Sequence, residues 1–250
     1  MNRLTNKVAV ITGGNSGIGF GIAREFKDEG AKGVIVGRNQ ETLTSALAQL
    51  GDNFIGINAD VTHVADLERV FKETFEKFGK IDVVVANAGT GTVGTVATFG
   101  EAEFDKAIEL NLKSVYFTVQ KAVPYMNDGG SIILIGSNAA HRAYPSFTLY
   151  GAAKAAVIYL AKGFSSDLLD KKIRTNVITP GTTDTPAFDK FVPAEQIEAV
   201  KKHFADQMPA GRIGQPADIG KAAVFLASDD SSFMLGAELL VDGGMTYLAK

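Results

Sequence analysis

The sequence predicts an α/β protein of one domain, a doubly wound parallel sheet of about seven strands with helices on both faces. Short runs rich in β-branched residues alternate with longer helical patterns along the whole chain. Several of the short runs are apolar throughout, which is typical of parallel strands covered by helices on both sides. The 250 residues contain no linker, internal repeat or low-complexity segment, so we expect a single domain over 1–250.

The strand candidates share β-branched and apolar residues bounded by glycine or polar turns. In order they are KVAVIT (7–12), GVIVG (33–37), NFIGIN (53–58), IDVVVAN (81–87), GSIILIGS (130–137), IRTNVIT (173–179) and AELLVDGG (237–244). The intervening helical patterns lie near 17–30, 40–50, 63–78, 101–126, 149–170 and 216–228. Each helix that joins two parallel strands makes a right-handed crossover.

Residues 182–215 interrupt this alternation between the last two strands. The stretch contains three prolines (186, 193 and 209) and three aromatic residues (188, 191 and 204). A long segment at the carboxyl end of a sheet is typical of a lid or a binding loop. The alternative is a helical decoration of the surface.

Composition excludes several classes of function. The net charge is −3 without a basic tract, so we expect no nucleic-acid partner. The chain has no cysteine, which rules out disulfides and thiolate catalysis. His63, His141 and His203 are far apart, so no metal site is expected. Because no signal peptide or membrane-length apolar segment is evident, we expect a cytoplasmic protein without a membrane partner.

A glycine-rich turn follows the first strand and opens the first helix. Small residues at such a turn let the backbone approach a pyrophosphate, whose charge lies at the helix N-terminus. A phosphate-binding P-loop is the competing motif, but no Gly-Lys-Ser/Thr follows. The turn therefore predicts a dinucleotide site, with contacts from Gly13, Asn15, Ser16, Gly17, Ile18 and Gly19.

The end of the second strand bears on the choice of dinucleotide. A site selective for NAD usually has a carboxylate there, to accept a hydrogen bond from the ribose 2′-hydroxyl. This chain has Gly37 followed by Arg38 and Asn39. A guanidinium can bind a 2′-phosphate through two hydrogen bonds, so NADP(H) is favoured. NAD(H) stays possible, because the glycine turn itself contains no lysine or arginine.

Two further groups follow strands at the edge where open sheets bind ligands. Asp60 and Val61 come after the third strand, and Asp60 could accept from the adenine amino group. Asn87, Ala88 and Gly89 come after the fourth, where the cofactor could lie against the backbone. Both groups are also compatible with simple turn chemistry.

Tyr150 and Lys154 lie four residues apart in an apolar helical run, LYGAAKAAVIYLA. This spacing places both side chains on one helix face. An ammonium that faces the phenol would favour the phenolate and lower the pKa of Tyr150, as an acid/base catalyst requires. In the alternative interpretation, Lys154 extends to water and Tyr150 packs in the core.

Taken together, these residues resemble the short-chain dehydrogenase/reductase family over nearly the whole chain. The matching elements are Thr12-Gly13-x3-Gly17-x-Gly19, Asp60, Asn87-Ala88-Gly89, Asn111, Ser137, Tyr150-x3-Lys154, Asn176-Val177-Ile178-Thr179-Pro180-Gly181 and the carboxyl-terminal segment GRIGQPADIGKAAVFLASDDSSFMLGAELLVDGG. Ala86 departs from the pattern, because many relatives have asparagine there. The resemblance implies a Rossmann fold and an oxidoreductase with a nicotinamide cofactor.

The resemblance also implies a role for each catalytic position. Tyr150 would be the acid that protonates the carbonyl oxygen, or the base in the reverse direction. Lys154 would lower the pKa of Tyr150 and bind the nicotinamide ribose, and Ser137 would donate a hydrogen bond to the carbonyl oxygen. Asn111 would hold a water that links Lys154 to solvent. Further cofactor contacts are expected from Pro180, Gly181, Thr183 and Thr185.

The substrate pocket is expected between the segment after Asn87, residues 138–147 and the insertion. Its predicted lining, which is mostly apolar, consists of Val93, Asn138, Tyr144, Phe188 and Phe191. No cluster of charged residues is suited to bind a phosphate or carboxylate group of a substrate. We therefore expect the substrate to be an uncharged ketone or aldehyde. Relatives of this length commonly form homotetramers, which we expect here as well.

Three functional hypotheses follow from the sequence. The leading one is an NADPH-dependent reductase that converts a ketone or aldehyde to an alcohol. The second is an NAD-dependent alcohol, sugar or hydroxysteroid dehydrogenase. The third belongs to a different class, a non-catalytic regulator that binds a dinucleotide, which would normally lack one of the four chemical residues.

Overall fold

A computed structural model describes residues 2–188 and 192–248. The described chain forms one seven-stranded sheet in the order β3-β2-β1-β4-β5-β6-β7, and every neighbouring pair is parallel. This confirms the predicted fold class. The strands are β1 (Val8–Thr12), β2 (Lys32–Gly37), β3 (Phe54–Asn58), β4 (Ile81–Ala86), β5 (Met126–Ile135), β6 (Arg174–Pro180) and β7 (Glu238–Val241).

Helices cover both faces of the sheet. Those in the described ranges are α1 (Gly17–Asp28), α2 (Gln40–Leu50), α3 (Val64–Phe78), α4 (Glu101–Ile108), α5 (Ser114–Ala122), α6 (Thr148–Asp167), α7 (Ile197–Gln207) and α8 (Pro216–Ala227). Residues from α3, α5 and α6 enter one buried cluster, and residues from α1, α2 and α8 enter the other. In the portions of the chain that are described, no helix is both long and apolar enough to span a bilayer.

The continuous apolar runs of the strands follow from this two-sided burial. Val8 and Val10 of β1 face the cluster beneath α3, α5 and α6, whereas Ala9 and Ile11 face the opposite one. Successive side chains of a strand point to opposite faces, so a strand covered on both sides has no polar position to alternate with. Each fully buried Val, Leu or Ile contributes about 1.5–3 kcal/mol, which makes these two clusters the main support of the sheet.

The helix predicted over 101–126 is not continuous, and the expectation of a single helix was wrong. A π-helix, Glu109–Lys113, separates α4 from α5, and a 3-10 turn, Val123–Tyr125, follows α5. Pro124 lies in that turn, where its missing N–H prevents continuation of the α-helix. The π-helix contains Asn111, and π turns occur frequently at functional sites.

The segment predicted as an insertion, 182–215, contains α7 and is closed at its base. Thr183 forms a parallel bridge with Gly214, and Asp184 N donates to the Gly214 carbonyl at 2.8 Å. Met208 and Ile213 form a third apolar cluster with Met245 near the carboxyl end of the chain. The segment is therefore attached at both ends to the carboxyl edge of the sheet, where the candidate site lies.

Candidate active site

The glycine-rich turn between β1 and α1 is shaped to admit a pyrophosphate. Gly13 and Gly17 have φ values of 63° and 54°, the left-handed region that favours glycine. A Cβ at Gly19 would lie 2.2 Å from the Gly13 carbonyl oxygen, so no larger residue fits there. Ser16 precedes α1 without capping it through its side chain, which leaves the first N–H groups of the helix for an anion.

Hydrogen bonds fix this turn to the end of β4. Asn87 Nδ2 donates to the carbonyls of Thr12 (2.9 Å) and Gly13 (3.2 Å). In return, Thr12 Oγ1 accepts from the backbone N–H groups of Asn87 (3.0 Å) and Ala88 (3.1 Å). Thr12 was not among the predicted site residues. A hydroxyl at the last position of a strand, directly before the glycine turn, was the signal for this role.

Arg38 lies at the predicted end of β2, with 67% of its side chain exposed. Its Nη1 lies 3.3 Å from Asp60 Oδ2, so the two residues predicted to contact the adenosine end of the cofactor form an ion pair. Burial opposes ionisation of Asp60, but hydrogen bonds from Thr62 and Arg38 outweigh it and hold the pKa of this carboxyl below its usual value. Asn39 accepts from Thr42 N at 2.9 Å and thereby caps α2.

Four other predicted cofactor residues pack against the core, the end of β2 or the glycine-rich turn. Val61 is buried in the core cluster beneath α3, α5 and α6. Asn15 lies against Gly37, where a Cβ would approach its Oδ1 to 2.5 Å. Thr185 reaches the glycine turn, since a Cβ at Gly17 would lie 3.3 Å from its Cβ. Ile18 packs partly against the other core cluster.

Hydrogen bonds to β7 and within its own turn hold the segment that follows β6. Pro180 ends the strand and pairs with Val241 of β7. Gly181 N donates to the Val241 carbonyl at 3.2 Å. Thr183 Oγ1 donates to the Gly181 carbonyl at 3.0 Å, so this hydroxyl caps the turn that follows β6.

The Tyr150 phenol and the Ser137 hydroxyl lie next to each other. Ser137 follows β5, and its Oγ accepts from Ala139 N at 3.2 Å, which orients the hydroxyl. Burial raises the pKa of Tyr150, and the hydrogen bond with Ser137 only partly opposes this effect. The expectation that Lys154 lowers the pKa of this phenol is thus wrong for the protein without its cofactor.

The reason is the position of the Lys154 ammonium. Its Nζ donates to the Ile135 carbonyl at 2.9 Å and lies 5.7 Å from the centroid of the Tyr150 ring. Only 3% of the residue is exposed, so the interpretation in which the lysine extends to water does not hold. Burial lowers the pKa of Lys154 to about 8. Among the residues that the structure describes, no carboxylate pairs with this ammonium. Such a buried charge is costly, which is typical of a functional position.

Asn111 lies next to Lys154, on the π-helix. It is fully buried, its Nδ2 donates to the Ala107 carbonyl at 3.0 Å, and its Oδ1 accepts from Thr90 N at 3.1 Å. Gly89 lies between the two side chains: a Cβ there would be 3.0 Å from Asn111 Oδ1 and 3.4 Å from Lys154 Nζ. The structure thus brings together Asn111 and Lys154, which are distant in sequence.

The predicted substrate residues are only partly brought together. Asn138 Nδ2 donates to Tyr144 Oη at 2.9 Å, and Tyr144 packs on the cluster of Met208, Ile213 and Met245. Phe188 contacts Phe204 of α7 with ring centroids 6.3 Å apart. Val93 is exposed on the loop after β4. Phe191 lies outside the described residues.

Comparison with known proteins identifies the family. Residues 13–246 match the family model described as enoyl-(acyl carrier protein) reductase. The oxidoreductase asL5 of Sarocladium schorii is 42% identical over 250 residues, which cover 99% of both chains. The chain belongs to the short-chain dehydrogenase/reductase family. This assignment confirms the resemblance seen in the sequence.

Two further comparisons agree with membership of the short-chain dehydrogenases/reductases. The hydroxynaphthalene reductase-like protein Arp2 of Metarhizium robertsii is 35% identical over 255 residues, covering 96% of this chain and 95% of that one. The solved structure of a short-chain dehydrogenase/reductase (glucose/ribitol dehydrogenase) from Brucella melitensis superposes with a TM-score of 0.91. It shares 31% identity and 99% coverage of both chains.

This short-chain dehydrogenase/reductase is an oxidoreductase that acts on carbonyl or CH–OH groups with a nicotinamide dinucleotide. The residues present fit that cofactor. The glycines of the turn leave space that a Cβ at Gly19 would fill, and the N-terminus of α1 faces that space without a side-chain cap. The predicted catalytic residues lie near the ends of β4 and β5, at the carboxyl edge of the sheet where the glycine-rich turn also lies.

Proposed function

We propose that the protein is an NADPH-dependent carbonyl reductase that converts an uncharged ketone or aldehyde to an alcohol. The observation that carries this proposal is the contact between Tyr150 and Ser137 beside the buried ammonium of Lys154. The reductive direction is supported by the similarity to a hydroxynaphthalene reductase-like protein. The presence of Asn111, Ser137, Tyr150 and Lys154 argues against a non-catalytic regulator.

The protein's own groups supply orientation and a proton. Bound nicotinamide would provide the hydride for the carbonyl carbon. Ser137 would donate a hydrogen bond to the carbonyl oxygen, and Tyr150 would transfer its phenolic proton to that oxygen as negative charge develops there. Because the transfer leaves a phenolate, the Lys154 ammonium would then stabilise it more strongly than it stabilises the neutral phenol. We propose that a water held near Asn111 returns the proton.

Tyr150→Phe tests the role of the phenol directly. Because general acid catalysis contributes about 10²- to 10⁴-fold, we expect a loss of kcat of that size in ketone reduction. The measurement is the oxidation of NADPH followed by absorbance, together with the thermal unfolding temperature. Tyr159→Phe, on the exposed face of α6, is the matched control and should retain activity. Undiminished reduction by Tyr150→Phe would contradict the proposal.

Arg38→Asp tests the preference for NADPH. The exposed guanidinium can bind a 2′-phosphate, whereas a carboxylate would repel the phosphate and accept from a ribose hydroxyl. We expect the ratio of kcat/KM for NADPH to that for NADH to fall by about 10- to 100-fold, equivalent to the 1.5–3 kcal/mol of a charged hydrogen bond. Arg24→Asp, on the exposed part of α1, is the control. An unchanged ratio would contradict the assignment.

An NAD-dependent dehydrogenase is the second candidate, and one observation favours it. Arg38 is paired with Asp60, and the glycine turn provides no other cation. The similarity to a glucose/ribitol dehydrogenase supports this candidate as well. A higher kcat/KM with NAD and a secondary alcohol or sugar than with NADPH and any ketone would establish it.

We also propose that the protein assembles as a homotetramer. Phe104, Ile108, Leu112 and Tyr116 recur every four residues along α4, the π-helix and α5. Three of these side chains line an apolar groove together with Leu160 of α6, and Phe104 extends the row. A second copy of the same surface would bury this groove.

A further inference from the structure

Asn138, the residue after Ser137, forms a hydrogen bond with Tyr144, whose hydroxyl has no part in the proposed chemistry. Asn138 is only 7% exposed, and its Nδ2 donates to Tyr144 Oη at 2.9 Å. The Asn138 carbonyl accepts from the N–H groups of His141 and Arg142, each at 3.0 Å. This turn reverses the chain after Ser137 and brings the Tyr144 phenol back towards it.

The surroundings of Tyr144 favour a neutral phenol that can donate a hydrogen bond. Burial raises the pKa of Tyr144, although the nearby Arg142 cation opposes this. The oxygen already accepts from Asn138, and no acceptor for the hydroxyl hydrogen lies within hydrogen-bonding distance in the parts of the chain that the structure describes. The donor of Tyr144 is therefore available to a ligand.

Tyr144 also lies on the side of the site where a substrate would bind. Its carbonyl accepts from Phe147 N at 3.1 Å, and the Phe147 ring lies 6.0 Å from the ring of Tyr150. Its own ring packs on Met208 and Met245, beside α7. Tyr144 is thus linked to Tyr150 through Phe147 and, through its own ring, to the apolar cluster at the base of the 182–215 segment.

We propose that Tyr144 is a specificity-determining residue that donates a hydrogen bond to a second oxygen of the substrate, and that Asn138 is its positioning residue. The inference rests on the proposed carbonyl reduction at Ser137 and Tyr150. A substrate without a second oxygen would leave the donor unpaired in a partly buried site, and such a site discriminates against it. The preferred substrates are therefore uncharged carbonyl compounds with a second keto or hydroxyl oxygen, rather than monofunctional ketones.

Matched ketone pairs test this inference. We would compare cyclohexanone with cyclohexane-1,4-dione, and 2-tetralone with 6-hydroxy-2-tetralone, as substrates of the wild type, Tyr144→Phe and Tyr159→Phe. The wild type should prefer the member with two oxygens in at least one pair, by about tenfold or more in kcat/KM. Tyr144→Phe should remove this preference by lowering kcat/KM for that member more than kcat/KM for the monofunctional one. Tyr159→Phe, exposed on α6, should keep the preference.

Asn138→Ala separates positioning from a structural role. We expect it to raise KM for the dioxygenated substrate by a larger factor than KM for the monofunctional ketone, with the larger effect in KM rather than in kcat. Equal losses on both members of a pair in Tyr144→Phe or Asn138→Ala would show that the hydrogen bond only supports the loop, and would overturn the inference. An unaltered preference in Tyr144→Phe would also overturn it.

The result also distinguishes this inference from the proposed function. If the wild type reduces none of the four ketones with either cofactor, or if Tyr150→Phe is as active as the wild type, the proposed function fails and the inference fails with it. If reduction requires Tyr150 but the wild type prefers neither member of either pair, only the inference fails.

Discussion

Lys154 is a buried charge that carries a cost in stability. The ammonium donates to the Ile135 carbonyl, and burial lowers its pKa to about 8. A group whose folded pKa lies below its unfolded value of about 10.5 destabilises the fold at neutral pH. In the proposed mechanism, the same charge would stabilise the phenolate that remains when Tyr150 gives up its proton.

This cost makes a prediction about Lys154→Met in the protein without cofactor. Below pH 8 the lysine is charged in both states, so wild type bears the full penalty, on the order of 3 kcal/mol for a pKa of about 8 in the folded state against 10.5 in the unfolded chain. Between about pH 8 and pH 10.5 the folded state loses its proton while the unfolded state keeps it, so the free energy of unfolding of wild type rises with pH. Met fills a similar volume and has no charge.

We therefore expect Lys154→Met to have the higher free energy of unfolding at pH 7, by up to a few kcal/mol, and the advantage to shrink at pH 9.5. Urea unfolding at the two pH values measures this. Lys162→Met, at an exposed position of the same helix, should show no such change with pH. An advantage of Lys154→Met that stays constant between the two pH values would contradict the assignment of the shift to this ammonium.

Spacing predicted the partnership of Tyr150 and Lys154, but not the direction of the phenol's pKa. The four-residue interval places both side chains on one face whatever surrounds them. The Ile135 carbonyl, which holds the ammonium, belongs to β5, and its distance from Lys154 depends on the packing of α6 on the sheet. Hydrogen bonds to the backbone of another element leave no pattern in the sequence.

Among the helices and strands, the π-helix at Glu109–Lys113 is the feature that the sequence did not predict. The pattern over 101–126 is that of a helix, and one wider turn within it shifts the periodicity too little to be noticed. The consequence in the structure is large, because this turn directs Asn111 towards Gly89 and Lys154. Asn111 was predicted from the family resemblance, since a polar residue in the middle of a helix is by itself more often exposed.

The 182–215 segment allows a prediction about one ion pair. Lys201 Nζ of α7 lies 2.9 Å from Asp184 Oδ1, and Asp184 is flanked by the two threonines expected at the cofactor. Partly exposed pairs of this kind contribute about 0.2–1 kcal/mol. We expect Lys201→Met and Asp184→Asn each to weaken dinucleotide binding by about two- to fivefold, and the double variant to be no weaker than either single variant.

Titration calorimetry with NADPH and NADH measures these affinities. Lys202→Met is the matched control, because Lys202 pairs with Asp206 within α7 rather than with the segment before it. Its affinity should equal that of wild type. Additive losses in the double variant would show that Asp184 and Lys201 act independently.

On the scale of the whole molecule, the sheet was the part that the sequence predicted best. All seven strands were recognised, because burial on both faces gives each central strand an unmistakable apolar run. The start of β5 differs, at Met126 instead of residue 130, since Asn127, Asp128 and two glycines resemble a turn. Surfaces that two copies would share cannot be recognised in this way, because an apolar side chain facing a neighbouring subunit fits the same pattern as one facing the core.

The apolar row along α4, the π-helix and α5 allows a prediction about the assembly of the protein. Phe104 is 49% exposed in the single chain, and Leu112 and Tyr116 continue the row towards Leu160. If two copies bury this surface, a carboxylate at its exposed end would be placed in an apolar contact without a partner, which is unfavourable. We therefore expect Phe104→Asp to convert the proposed tetramer into smaller species without unfolding the chain.

Light scattering coupled to gel filtration measures the mass, which for wild type should be four times 26.4 kDa. Phe75→Asp is the control, because Phe75 is exposed to a similar degree on α3, away from the groove, and its substitution should leave the mass unchanged. A wild type that elutes as a single chain, or a Phe104→Asp variant that keeps the full mass, would show that this surface is not buried between copies. Since the groove runs along the helices that position Asn111 and Lys154, we also expect kcat to fall when the assembly is lost.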